Sequence, residues 1–383
     1  MPRLLYLVNI PRFFVSHRLP LALAAREAGY DVHVATAAGD AENTARILQA
    51  GFPLHPLPLS QHGTNPRAES AAVLAIRRLY AHLQPDIAHH VTIKAILYGG
   101  LAVRQTNVPA VVNAVSGLGY VFTAQGNKAA LLRGGVQLAY RAALSHPNSC
   151  TIFQNPDDQA LFIRQRLVDT ARTMVIKGSG VDMDVFQPQP EAAGEPVVLF
   201  SGRLLWQKGV GEFVEAARRL KGEGVAARFV IVGYAEPSSP AAVPPETLEQ
   251  WQAEGVVEWW GRRDDMPQVY AQAHIVCLPS SYGEGVPKVL IEAAACGRPL
   301  VTTDTPGCRE ITRHEQNGLL VAVHDTDALC AALQRLIASP DLRAQMGNRG
   351  REIAEAEFSL AQVCEETLAI YARLLSNVPE RPQ

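Results

Sequence analysis

The sequence predicts an α/β chain of two Rossmann-like domains, each built on a parallel sheet. Three observations carry that prediction. Short apolar runs alternate with amphipathic helices, the pattern of βαβ units. The alternation lapses near Gln187 and restarts at Pro196, which argues for two sheets rather than one large one. The 383 residues, 48% hydrophobic and 19% charged, hold enough apolar material for two full cores and exclude disorder as the dominant state.

The elements follow in order. Leu4–Val8 reads as the first strand, and Leu19–Ala28 as a helix stopped by Gly29. A strand over Asp31–Thr36 precedes a helix near Asn43–Ala50, closed by Gly51. Ser70–Leu83 is helical, Pro85–His89 extended, Ile96–Arg104 helical and Ala110–Val115 extended. Gln187 to Gly194, rich in Pro, Ala and Gly, has no periodicity and reads as a linker over about 187–195. The second run places strands at Pro196–Ser201, Ala227–Val232, Val256–Trp260, Ile275–Pro279, Pro299–Thr303 and Leu319–Val321. Helices fall at Gly209–Glu223, Met266–Ala273, Pro287–Cys296 and Thr326–Ala338. A closing helix, about Leu360–Leu375, is long enough to return across the junction. The expected division is therefore 1–190, 191–360 and a closing segment 361–383.

The formal net charge of −2 excludes a generically basic nucleic-acid binder, but it is an average. Residues 1–190 carry 17 Lys+Arg against 11 Asp+Glu, a net of +6, and the remainder carries 18 against 26, a net of −8. That asymmetry suggests different partners for the two halves. The six cysteines include no C-x-x-C pair and read as reduced, structural thiols of a cytosolic protein. The apolar run after Met1 is too short for a signal peptide, and no uninterrupted apolar stretch approaches membrane-spanning length.

The segment from Ser280 to Gly297 is the most informative. A strand ends at Pro279, a glycine-bearing loop with Gly283 and Gly285 follows, and Pro287 suits the first position of a helix. Such a helix start presents backbone N–H groups and the positive end of the dipole to a diphosphate. Glu284 and Glu292, eight residues apart, would lie about 80° apart on one continuous helix. The glycines and Pro287 instead put Glu284 in the loop and Glu292 two turns inside, so the two carboxylates suit two hydroxylated groups, a transferred sugar and a ribose. Ser201 to Gly209 follows the first strand of the second domain; Arg203 and Lys208 there suit one diphosphate approached from two directions.

Together these residues resemble the family 4 retaining glycosyltransferases, whose GT-B fold has two facing Rossmann-like domains. The resemblance spans nearly the whole chain and rests on Gly202-Arg203-Leu204, Lys208-Gly209, the Glu284–Glu292 segment, Thr303 to Ile311 and Asn317 to Val321. It implies that Arg203 and Lys208 hold the donor diphosphate, Glu284 the sugar hydroxyls and Glu292 the ribose, with backbone near Arg262 receiving the base. Gly202, Gly285, Val286 and Lys288 complete the donor set. Arg203, Lys208 and Glu284 are then the groups expected to carry the reaction. The first domain departs from the family pattern: no Gly-Gly pair follows the first strand, and Ser116-Gly117 stands where a His-Gly is frequent.

Its variant spellings (Phe13-Phe14-x-Ser16-His17-Arg18-Leu19-Pro20, Thr92-Ile93-Lys94-Ala95-x-x-Tyr98-Gly99-Gly100 and Asn113 to Phe122) resemble the subgroup that adds an N-acetylhexosamine or hexose to undecaprenyl-diphosphate-linked sugars. Ser16 suits an N-cap for a helix beginning near His17, with His17 and Arg18 at the mouth of the site. Lys94, close after Thr92 in a strand-to-helix loop, suits an anionic diphosphate, and Ser116 and Gly117 open a loop that lets backbone approach a ligand. His89 and His90 end a strand and are as readily structural. The D-x-D of Asp182 and Asp184 sits at the domain junction and reads as structural, so no metal and no cofactor beyond a nucleotide-sugar co-substrate, UDP-linked by the resemblance, is expected. A basic amphipathic stretch, with Lys128, Arg133 and Arg141 on Ala129–Leu144, suits either an anionic membrane surface or an ordinary core helix.

The expectation is a cytoplasmic, membrane-peripheral glycosyltransferase acting by front-face displacement. A sugar-nucleotide epimerase on the same scaffold and a non-catalytic sugar-nucleotide binder are the alternatives. A dehydrogenase is disfavoured because no G-x-G-x-x-G follows the first strand.

Overall fold

The computed structural model describes residues 1–60, 65–117, 127–235 and 239–378, with side chains omitted for 127–134. The chain forms two compact units, one of residues 1–179 with 360–383 and the other of residues 180–359.

The first unit is a seven-stranded parallel sheet of order β3-β2-β1-β4-β5-β6-β7. Its strands are β1 (Arg3–Val8), β2 (Asp31–Ala37), β3 (Leu54–Leu57), β4 (Ile87–Val91), β5 (Ala110–Val115), β6 (Ser149–Phe153) and β7 (Thr173–Val175). The three central strands β1, β4 and β5 are almost wholly buried, as a sheet covered on both faces demands, and are mostly apolar apart from His89 and His90 of β4 and Asn113 of β5. The edge strand β3 contains Pro56, which an edge tolerates because one side of its backbone donates to no neighbour. The closing helix Leu360–Ser376 belongs to this unit, burying Val363, Ile370, Tyr371 and Leu374 in its core. The chain thus crosses back as expected.

The second unit is a six-stranded parallel sheet of order β10-β9-β8-β11-β12-β13. Its strands are β8 (Val197–Ser201), β9 (Arg228–Val232), β10 (Glu258–Trp259), β11 (Ile275–Leu278), β12 (Leu300–Thr303) and β13 (Gly318–Val321). This is the doubly wound order, and its reversal point lies between β8 and β11.

The units divide at Ser179–Gly180, ahead of the expected linker. Residues 187–195 are instead strapped onto the second unit. The nearly buried Arg298 donates to the carbonyl of Gln189 at 2.8 Å, Arg343 grips the Glu191 carboxylate at 2.7–2.8 Å, and His274 bonds the Ala192 carbonyl at 2.9 Å. The Pro-rich composition marks an extended strap, not a hinge. With these bounds the first unit carries 19 Lys+Arg against 12 Asp+Glu (+7) and the second 16 against 25 (−9), so the asymmetry sharpens.

Two local expectations are corrected. Ser16 is no N-cap: the first turn after β1 is a helix, Pro11–His17, and the Ser16 hydroxyl donates back to the Arg12 carbonyl at 2.8 Å. Pro287 precedes the helix Lys288–Ala295 as its cap residue rather than opening it. The helix Asn127–Ala143 buries Tyr140 and Ala143 and leaves Leu138 exposed. Leu118 to Phe122 and the side chains of Lys128 and Arg133 lie outside the described residues. Among the described residues, no helix is long and apolar enough to cross a membrane.

Candidate functional site

In the second unit the loops after β8 and β11 are tied together by backbone. The Ser281 N–H donates to the Gln207 carbonyl at 2.9 Å, and the hydroxyls of Ser280 and Ser281 reach the same oxygen at 3.3 Å. Gly209, in the left-handed region at φ +82°, makes this approach possible, because a Cβ there would overlap the Pro279 carbonyl oxygen. The result brings Lys208 and Glu284, 76 residues apart in sequence, into direct contact: the ammonium donates to Oε1, and the two side chains are 11% and 12% exposed. Ser280 donates to the same oxygen at 3.2 Å. Gly285 and Val286 are buried behind Glu284, and Gly307 has no side chain because one would collide with the Gly285 carbonyl.

Glu292 lies one turn into the following helix, 7% exposed. It accepts a hydrogen bond from Tyr270 at 3.1 Å and pairs with Lys288 at 3.4 Å. Burial raises its pKa, and Lys288 and Tyr270 only partly offset this. The residue before this helix, Pro287, has no side chain able to cap its start. Arg203 is exposed on the loop after β8, close enough to Tyr282 to bear on that phenol's ionisation. Gly202, at φ +147°, leads into it. Arg262 follows β10 and bonds Asp264 at 3.3 Å; the neighbouring Gly261 carbonyl accepts from Gly233, which packs on Gly202. The residues expected to bind a donor therefore lie at or just beyond the carboxyl ends of β8, β10 and β11.

The first unit gathers a second cluster at the carboxyl end of β4. Thr92 takes φ +79° and ψ 163°, a conformation that glycine favours, and its hydroxyl donates to Asn9 Oδ1 at 2.9 Å. Lys94 donates to Glu69 Oε1 at 2.9 Å, Tyr98 donates to the other oxygen, and Ser60 reaches Oε1 at 3.4 Å. Lys94 is thus already paired with a carboxylate. Gly117, at φ +123°, follows Ser116 at the end of β5. His17 stacks on Phe13, ring centroids 4.2 Å apart, and its Nδ1 lies 2.6 Å from the Ser16 hydroxyl. Arg18, expected at the mouth, is buried. His90 is enclosed between Tyr80 and Asn113, at 2.8 and 2.9 Å, and His89 bonds Tyr371 of the closing helix at 2.5 Å; both are interior residues. The Asp182 carboxylate accepts the backbone N–H groups of Asp184 and Val185, closing a turn.

Two family models cover most of the chain, "Glycosyl transferases group 1" over residues 182–353 and "Glycosyl transferase 4-like" over 3–154. The N,N'-diacetylbacillosaminyl-diphospho-undecaprenol alpha-1,3-N-acetylgalactosaminyltransferase of Campylobacter jejuni is 26% identical over 374 residues, 94% of this chain and 96% of its own. The UDP-Gal:alpha-D-GlcNAc-diphosphoundecaprenol alpha-1,3-galactosyltransferase of Escherichia coli is 24% identical, covering 80% of each. An Anabaena protein solved with UDP and glucose superposes with a TM-score of 0.79 at 20% identity, over 99% of this chain and all of its own. The chain is a family 4 glycosyltransferase of the GT-B fold.

In this glycosyltransferase, Glu284 lies in the loop before the helix, as the glycines and Pro287 suggested, but Glu292 lies one turn inside rather than two because the helix begins only at Lys288, and the direct Lys208–Glu284 contact was not foreseen. Residues that sequence inspection missed are the supports: Ser280 behind Glu284, Tyr270 behind Glu292, and Glu69 with Tyr98 around Lys94. Tyr98 stood within a quoted motif, but nothing near it in sequence announced Glu69, which arrives from the helix Pro66–Leu83.

Proposed function

We propose that this glycosyltransferase moves an N-acetylhexosamine or hexose from a UDP-sugar to an undecaprenyl-diphosphate-linked saccharide, with retention of configuration, in surface polysaccharide or glycan assembly. The observation that carries the reading is the nearly buried Lys208–Glu284 pair at the carboxyl ends of β8 and β11. A carboxylate and an ammonium held side by side suit a molecule with hydroxyls on one side and a diphosphate on the other. Gly202, Arg203, Lys208, Gly285, Val286, Lys288 and backbone at Arg262 would bind the donor, Glu284 the sugar hydroxyls and Glu292 the ribose.

As the glycosidic bond to phosphate breaks, negative charge accumulates on the leaving diphosphate. Arg203, Lys208 and the positive end of the helix Lys288–Ala295 would stabilise that charge. Lys208 must then turn from Glu284 towards phosphate, which leaves the Glu284 carboxylate able to accept from the sugar. Ser16, His17, Thr92, Lys94, Ser116 and Gly117 would receive the acceptor on the more basic unit, at the cytoplasmic face of the membrane, with the Arg141-bearing helix contacting anionic lipid. The names of the Campylobacter and Escherichia relatives support the lipid-diphosphate acceptor, and the Anabaena complex supports UDP.

The test is UDP release from a panel of UDP-sugars, with and without an undecaprenyl-diphosphate-linked sugar, and NMR of the product. Acceptor-dependent release with an α-linked product is expected from an α-linked donor. Turnover indifferent to acceptor, or an inverted product, would refute the reading.

A further inference from the structure

In the first unit, short connections lead from the helix Asn127–Ala143 into β6 and from the helix Pro156–Arg164 into β7. These connections and the helix ends before them border an open cavity of about 500 Å³, lined by Arg141, Arg166 and Arg172. The sheet is parallel here, so the cavity lies at the amino ends of β6 and β7. Thr92 and Ser116 follow the carboxyl ends of β4 and β5. The cavity is therefore at the other end of the sheet from the residues expected to receive an acceptor.

Its three arginines are gathered without counter-charge. Arg141 donates to the Gln165 carbonyl at 3.0 Å and Arg172 to the His146 carbonyl at 2.9 Å. These neutral acceptors hold both side chains in place and leave their charge uncompensated. Arg166 has a left-handed backbone at φ +54° and is exposed. Among the described residues none of the three makes an ion pair, and the Arg166 side chain makes no hydrogen bond. Asp169 is the one carboxylate in the lining, and it accepts the Ala171 N–H at 3.1 Å. Three positive charges thus stand against one negative, a net of +2. Like charges gathered in this way repel one another, and a bound anion relieves that repulsion.

We propose that this cavity binds the phosphate of a phosphomonoester. Planar guanidiniums pair with phosphate oxygens through two N–H groups at once and stay charged at neutral pH. A phosphomonoester carries about −1.5 to −2 at pH 7, which matches the lining, whereas a carboxylate or a phosphodiester brings a single charge. Phosphate alone does not fill a space of this size, so the organic group attached to it has room as well. That group belongs either to a soluble metabolite or to a lipid whose phosphate is terminal. For the lipid, Leu138, 68% exposed and one turn before Arg141, would meet the acyl chains; this case alone rests on the membrane contact proposed above.

Glycerol 3-phosphate and phosphatidic acid carry the same phosphomonoester on glycerol, so together they separate the two sources. The full chain is compared as wild type, Arg166→Glu and Arg46→Glu; Arg46 is exposed on the helix Ala41–Gln49, beside the opposite edge of the sheet. For a soluble source, calorimetry should show glycerol 3-phosphate binding that Arg166→Glu weakens about tenfold or more and Arg46→Glu leaves unchanged. For a lipid source, phosphatidylcholine vesicles with phosphatidic acid should float more wild type than vesicles matched in charge with phosphatidylglycerol. Arg166→Glu should then lose that excess, and Arg46→Glu should keep it. Wild-type crystals soaked in tungstate, a tetrahedral dianion, should show an anomalous peak among Arg141, Arg166 and Arg172, which tests the site even if Arg166→Glu fails to fold. Indifference of both probes to Arg166→Glu, or no tungstate peak there, overturns the proposal.

Discussion

Lys208 donates to the carboxylate of Glu284 with both side chains almost withdrawn from solvent, although the two lie on different loops. A pair at this depth differs from a surface ion pair. Solvent screens it weakly, so removing one member leaves the other charge without compensation.

That asymmetry predicts how variants behave. Lys208→Met and Glu284→Leu should each lower transfer by about 100-fold or more. Each should also destabilise the fold, by less than the about 3–5 kcal/mol seen for fully buried pairs, because some solvent still reaches this one. The double variant should recover much of the stability and none of the activity. Chemical denaturation beside UDP-release kinetics checks this; a double variant as unstable as the singles would count against it.

Glu292 gives a pH prediction. Burial raises its pKa, so the folded state holds its proton at pH values where the unfolded chain has lost it. Its contribution is therefore most favourable below the ordinary glutamate range and declines as pH rises through the raised value. Glu292→Gln should flatten that decline and melt no lower than wild type near neutrality. If the carboxylate holds the ribose, the variant should also raise the KM for UDP-sugar about tenfold, the loss of about 1.4 kcal/mol. Melting curves across pH and donor saturation curves measure the two effects separately.

Thr92 pairs strain with a hydrogen bond. Its backbone conformation costs about 1–3 kcal/mol in a non-glycine residue, while the bond to Asn9 returns about 1 kcal/mol. Thr92→Ala keeps the strain and loses the bond, so it should destabilise by about 1 kcal/mol. Thr92→Gly loses the bond but also the strain, and should melt at or above Thr92→Ala. The reverse order in calorimetry would show that the backbone of this turn stores no strain that glycine relieves.

Where sequence periodicity was unbroken, it was a reliable guide. Leu4–Val8 and Ala110–Val115 are central strands whose apolar runs leave little alternative. The edge strands β3 and β7 were invisible because Leu54–Leu57 contains a proline and Thr173–Val175 is only three residues long. The helix Pro11–His17 was missed although Pro11 opens it, since Ser16 looked like a cap for the next helix.

At the candidate site, the positions of Arg203, Lys208 and Glu284 were legible because each follows the carboxyl end of a strand, where ligands of open sheets gather. Their supports were not. Tyr270 comes from the helix Met266–Gln272 and Glu69 from Pro66–Leu83, and only folding sets either beside its partner. Arg18 shows the opposite limit: a charged residue beside two site candidates reads as exposed until packing encloses it.

The Lys94–Glu69 contact supplies the last prediction. Burial opposes ionisation of Glu69, but Tyr98 and Lys94 outweigh it and hold its carboxyl below the usual range, so Glu69 is ionised at neutral pH. An acceptor diphosphate reaching Lys94 must compete with Glu69 for the same ammonium. Glu69→Gln weakens that competition and should lower the KM for the lipid-linked acceptor by about threefold to tenfold, within the worth of one charged hydrogen bond. Lys94→Ala should raise it, and the donor KM should move in neither variant. If Glu69→Gln instead raises the acceptor KM as much as Lys94→Ala does, Glu69 itself binds the acceptor, and Lys94 only positions it.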